Sequence, residues 1–180
     1  MSAGGGIAVE RFREVFPVVE RLVEDRWGIP VRIRDVAHPF TGDLDGAEIQ
    51  VDYDLEAEDA LFILVHLFGH TVQWNTDADA RTIGTHTGPW DEDALRRVRE
   101  YERTACRYSM QLFHDAGVRD LDQWLSDFAA CDYRYLDHFY RTGEKRPFRS
   151  FWTDGNECLS PLAVPTFSPT RWLSRDGIVI

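Results

Sequence analysis

His66 and His70 are the pair in this chain whose type and spacing could do chemistry. They stand four residues apart in VHLFGHTVQW, and on a helix of 3.6 residues per turn that spacing stacks both imidazoles on one face. Two neutral imidazoles so placed can share one metal ion. Gly69, between them, would allow another segment to approach closely. A third donor comes from the next apolar stripe, where Leu95, Val98, position 102, Ala105, Ser109 and Leu112 recur at steps of three or four. Position 102 is Glu102, and a carboxylate on a buried stripe is costly unless it is neutralised, paired or bound to a cation. His66, His70 and Glu102 therefore make a three-ligand set with open positions. It suits a divalent metal, Zn2+ foremost, and also Fe2+, because two histidines and one carboxylate serve non-haem iron as well. The competing assignment is an ion pair from Glu102 to Arg81 or Arg103.

The elements that must position these groups follow from periodicity and turn chemistry. Apolar residues at Phe12, Val15, Phe16, Val19, Leu22 and Val23 predict a helix over 7–27, with Pro17 expected to kink it or start a new turn. VRIRDV (31–36) and AEIQVDY (47–53) alternate as half-buried strands do, with TGDLDG (41–46) as the turn between them. Residues 55–74 are apolar nearly all round and predict a buried central helix carrying both histidines, with Glu56, Glu58 and Asp59 at its positive end. A polar connection (75–90) leads to a long helix from Asp91 to Ala116, closed by Gly117. A further helix over 120–141 has Leu121, Trp124, Leu125, Phe128, Leu136 and Phe139 as its stripe. Its acidic-aromatic CDYRYLDHFYR segment (131–141) could line a pocket, though a solvated face explains it well, and the tail from Thr142 reads as an irregular wrap.

Taken together, these residues resemble the zinc-binding core of the zincin metallopeptidases. His66-x-x-x-His70 on a buried helix follows an alternating strand, and YERTACRYSMQLFHDAG (101–117) is similar to the family's downstream glutamate helix, with Glu102 as third ligand and the small Ala105 one turn on. The nearest likeness is to small gluzincin-like bacterial proteins of the ImmA/IrrE type, and it covers residues 47–117. It implies an α+β, zincin-like fold, with residues 1–6 as a flexible N-terminus and 7–180 as a single metal-binding domain.

One position departs from the family pattern. In H-E-x-x-H the glutamate is the general base that activates water at the metal, and here it is Leu67. Three explanations compete: catalysis is lost while the site is kept, another residue supplies the base, or the metal serves non-hydrolytic chemistry. A glutamate restored at position 67 is the obvious probe of hydrolytic ancestry. Candidates for a replacement are His86, in the loop TIGTHTGPW, and Tyr108, which with Tyr101 flanks Glu102 and could donate to a developing oxyanion. Glu48 is expected to face solvent. Cys106 could be a soft ligand, whereas His38, His114 and His138 lack ligand spacing. Gln73 and Trp74 could shape the cleft, but a place in the core or at the helix end fits them better.

Composition bounds what such a site could serve. The chain has 180 residues, with 20 Lys+Arg against 31 Asp+Glu and a net charge of −11, so it lacks the basic footprint that nucleic acid or an anionic membrane requires. Its three cysteines show no C-x-x-C spacing and no disulfide framework, and the opening MSAGGGIAVERF has no basic and apolar signal regions. The expectation is a cytoplasmic, metal-dependent enzyme: a divergent zincin-type hydrolase or a related enzyme acting on a small molecule or short peptide. The alternatives are a non-haem iron enzyme and a non-catalytic metal-binding regulatory module.

Overall fold

The computed structural model of the protein describes residues 6–38 and 40–173. Among them are five α-helices and a three-stranded sheet, an α+β arrangement. The first helix, α1 (Val9–Trp27), runs through Pro17 and buries Phe12, Val15, Val19 and Val23, the stripe that the sequence predicts. It stops at Gly28, whose φ of 66° is the left-handed value that glycine adopts freely, and whose N–H closes on the Glu24 carbonyl. The expected flexible stretch, residues 1–6, lies outside the described residues except for Gly6.

The sheet has the order β1-β3-β2, with β1 (Val31–Arg34) parallel and β2 (Gly42–Leu44) antiparallel to the central β3 (Ile49–Asp52). Two expectations change here. The segment read as a turn supplies β2, and all three of its residues are buried. The turn proper starts at Asp45, whose carboxylate accepts the backbone N–H groups of Ala47 and Glu48 at 2.8 and 2.9 Å. β1 is not half-buried by alternation: only Val31 is covered, and Ile33 is 51% exposed on the sheet edge.

The histidine helix is α2 (Ala57–Thr76), buried nearly continuously from Leu61 to Trp74 as its all-round apolar character requires. It lies between the sheet on one side and α4 (Glu92–Asp115) on the other. At its first turn Glu58 accepts from Trp124 Nε1 at 2.9 Å and pairs with Arg149 at 3.3 Å, so this buried carboxylate is satisfied. The polar connection contains a short helix, α3 (Ala78–Gly84), capped by the Asp77 side chain on Asp79 N. The last helix, α5 (Asp122–Thr142), joins the core through Trp124, Leu125 and Phe128. Beyond it the tail holds one 3-10 turn, Phe148–Phe151, and is otherwise irregular to residue 173. It is tied down by Leu162 N to the Arg107 carbonyl (3.1 Å) and by Trp172 N to the Asp45 carbonyl (2.7 Å). No helix among the described residues is long and apolar enough to cross a membrane, and all three cysteines are free thiols.

Candidate metal centre

Small residues set how close α2 and α4 come. Gly69 faces the backbone of Ala105, and a Cβ there would stand 2.2 Å from the Ala105 carbonyl oxygen. One turn on, the Ser109 hydroxyl lies 2.7 Å from the Val65 carbonyl and 3.0 Å from that of Ala105, one proton serving both. This contact brings the Glu102 carboxylate from α4 onto the face of α2 that carries His66 and His70.

The three groups converge on a point. His66 Nε2 and His70 Nε2 are 3.0 Å apart, Glu102 Oε2 is 3.1 Å from His70 Nε2, and it is 3.2 Å from His66 Nε2. All three residues are buried, and together they form a group that could hold a metal ion. The competing sequence assignment is set aside by the same contacts: among the described residues the side chains within ion-pair distance of Glu102 are the two histidines, while Arg81 donates to the Trp74 carbonyl and lies over the Trp172 ring.

Hydrogen bonding around the ring nitrogens says what the point requires. Gln73 Nε2 donates to the Tyr101 carbonyl at 2.9 Å, which turns Gln73 Oε1 toward His70 Nδ1, also at 2.9 Å. An amide oxygen only accepts, so His70 carries its proton on Nδ1 and presents Nε2 as a lone pair. His66 is held alike, its Nδ1 lying 3.5 Å from the Cys106 sulfur. Burial pushes the Cys106 thiol well above its ordinary value, so the sulfur keeps its proton and can give or take the weak bond to His66 Nδ1. With His66 protonated on Nδ1 as His70 is, three acceptor atoms face one another about 3 Å apart, an arrangement that a cation between them relieves. Tetrahedral bonds of about 2.0–2.1 Å separate ligand atoms by about 3.3 Å, close to the observed spacing. The donor set fits a divalent metal.

Burial, the largest single influence, pushes the Glu102 carboxyl up; with no ion bound, protons on the facing His70 and His66 nitrogens together outweigh it and hold it well below the usual carboxylate range, so protons and a metal ion compete for the same point. Aromatic rings wall the site: Phe62 stacks on His66 at 5.1 Å and Tyr101 on His70 at 4.4 Å.

Gln73 therefore does more than end a helix, which is a correction to the sequence reading. Gln73→Leu should leave the His70 Nδ1 proton without an acceptor and weaken divalent-metal affinity about 10–100-fold, measured by competition with a chromophoric chelator. An unchanged affinity would mean that the bond does not orient the ring.

The two expected acid–base residues have surroundings of their own. His86 is exposed, bonded to the Pro89 carbonyl at 3.0 Å and set edge-on against Trp90. Trp90 stacks at 3.9 Å on Tyr140, whose hydroxyl senses the charges of Glu102 and Asp132. His86 thus stands outside an aromatic layer rather than within the cluster. Tyr108 belongs to the hydrophobic core, and the charges that its hydroxyl senses are those of Arg107 and Asp77. Leu67 is fully buried, its Cδ1 2.7 Å from where a Cβ on Gly42 of β2 would be.

Sequence reasoning passed over Asp132. It lies in the segment read as a solvated face, yet its carboxyl is pushed up to about 7 by burial, with His66 drawing it down and Glu102 pushing it up. The signal was present in the stripe of α5, where Leu125, Phe128, Asp132, Leu136 and Phe139 follow steps of three and four, as around Glu102. No protein-family model, curated protein or solved structure matches the chain.

Proposed function

We propose that His66, His70 and Glu102 bind one divalent metal ion, most naturally Zn2+, and that the protein is a metal-dependent enzyme of zincin-like design acting on a small molecule or short peptide. The observation that carries this reading is the convergence of three buried ligand-type atoms from two helices, with the His70 ring proton committed to Gln73. A chain of this length builds a full core without a metal, so a site assembled across two helices is better explained by chemistry than by a need for a structural ion.

A bound Zn2+ would supply Lewis acidity at its open positions, polarising a substrate carbonyl. The chain's own residues do the rest. His66, His70 and Glu102 hold the ion, Gln73 and Cys106 fix the two ring orientations, and Phe62 and Tyr101 exclude water from the rings' faces. With Leu67 unable to accept a proton, the set also meets the ligand requirement of a non-haem iron enzyme, and the native metal decides between the two.

The test is metal content. Purified protein should carry about one Zn2+ or Fe2+ per chain by atomic emission, and His66→Ala and Glu102→Ala should each fall to about a tenth of that or less. Both variants keeping a full complement of metal would refute the assignment.

A further inference from the structure

We propose that Asp132 is the proton acceptor of this centre, acting from α5 where residue 67 on α2 cannot. The inference rests on His66, His70 and Glu102 being the metal ligands.

The placement of α5 carries it. Phe128 stacks on Phe62 at 3.8 Å, and Phe62 in turn stacks on His66. Asp132 is one helical turn beyond Phe128, on the same face of α5. α5 runs antiparallel to α4, with Arg99 paired to Asp137 at 2.9 Å and Glu92 bonded to Arg141 at 3.0 Å. Going back along α5 from Asp137 while going on along α4 from Arg99 sets Asp132 level with the turn of α4 that runs from Glu102 to Cys106. The charges of His66 and Glu102 act on its carboxyl accordingly.

It is nevertheless not one of the ligands. The set whose donor atoms all lie within 4.8 Å of one another is His66, His70 and Glu102, without Asp132. Near enough to act on the ligands and outside their cluster, Asp132 has the position of an outer carboxylate that addresses water rather than the ion. Among the described residues no lysine or arginine forms an ion pair with it. The other acceptors are committed: the Tyr101 hydroxyl takes the Trp74 indole N–H at 2.9 Å, His86 bonds Pro89 outside the Trp90–Tyr140 layer, and Leu67 packs against β2.

In the hydrolytic step, one O–H bond of the attacking water breaks and its proton goes to Asp132. The water oxygen forms a bond to the substrate's carbonyl carbon, and the carbonyl π pair moves to its own oxygen. On collapse the bond to the leaving group breaks, and the proton passes from Asp132 to that group, so one water is consumed and nothing is oxidised or reduced.

The experiment uses the full chain loaded with Co2+ and acetohydroxamic acid as probe, followed by visible absorption. The acid's O–H proton must leave as its oxygens engage the ion, and a neighbouring carboxylate is its acceptor. Asp132→Asn is isosteric and removes a half-buried charge, so the fold should be kept. It should bind one Co2+ per chain as tightly as wild type, while its affinity for acetohydroxamic acid falls roughly tenfold or more, the loss of one charge-assisted hydrogen bond. His86→Ala should leave both affinities unchanged. Equal acetohydroxamate affinity in wild type and Asp132→Asn would overturn the proposal, and so would loss of Co2+ from folded Asp132→Asn, which would make Asp132 a ligand. A wild-type chain that takes up no Co2+ would instead overturn the ligand assignment, and this role with it.

Discussion

Gly69→Ala should destabilise the protein by about 3 kcal/mol or more and weaken the uptake of a divalent metal proposed for His66, His70 and Glu102, although alanine is the better helix former. In an exposed helix interior the same change would gain about 1 kcal/mol. At Gly69 the added methyl would meet the Ala105 carbonyl oxygen at 2.2 Å, its carbon at 2.7 Å and the Ala105 Cα at 2.9 Å. These are backbone atoms of α4 and cannot swing aside as the end of a side chain would. The helices must separate, and separation breaks the Ser109 link to the Val65 carbonyl. It also withdraws Glu102, which lies one turn before Ala105, from the two imidazoles. Urea unfolding with metal analysis on the same samples tests this. Stability and metal content equal to wild type would mean that the two helices do not need their close contact.

The dependence of the centre on Gly69 also explains how much of it the sequence made legible. The H-x-x-x-H spacing, the acid on an apolar stripe and the small residues at 69 and 105 are each patterns of one helix, and periodicity reads one helix at a time. They sufficed to bring together His66, His70 and Glu102. Gln73 was visible only as a helix-end residue, because its role depends on which of its amide atoms faces His70, and the Tyr101 carbonyl decides that. Asp132 had the same signature as Glu102, an acid within a stripe of threes and fours, but its neighbours Tyr133, Arg134 and Tyr135 made the segment look wet.

β2 escaped because Gly42, Asp43 and Leu44 have turn composition. What makes them a strand is pairing with β3 and burial against Ile63 and Leu67 of α2, contacts distant in sequence. β1 failed the other way, its alternation being regular while its position at the sheet edge leaves Ile33 uncovered. Local pattern thus located the helices well, and tertiary contacts decided the strands.

Burial against β2 also changes what Leu67→Glu should do. From the sequence, the substitution supplies the general base of the zincin pattern that the chain resembles. In the fold, Leu67 is 0% exposed, and Gly42 leaves no room on its β2 side: a Cβ there would meet Ile63 at 2.6 Å and Leu67 at 2.7 Å. A glutamate at 67 replaces a packed core side chain with a carboxyl that burial keeps from ionising, so the expected result is a loss of about 3–5 kcal/mol and no hydrolysis. The sign with pH follows from burial. The new carboxyl has a folded-state pKa above its unfolded value of about 4.3. Below that value both states hold the proton and the deficit is smallest. As pH rises through it, the unfolded chain alone ionises, so the deficit widens until the folded-state pKa is reached. Urea unfolding of Leu67→Glu and wild type at pH 4 and pH 8 measures that widening. A variant as stable as wild type at pH 8 that also gains hydrolytic activity would mean that position 67 opens on the centre, and the need for a base on α5 would disappear.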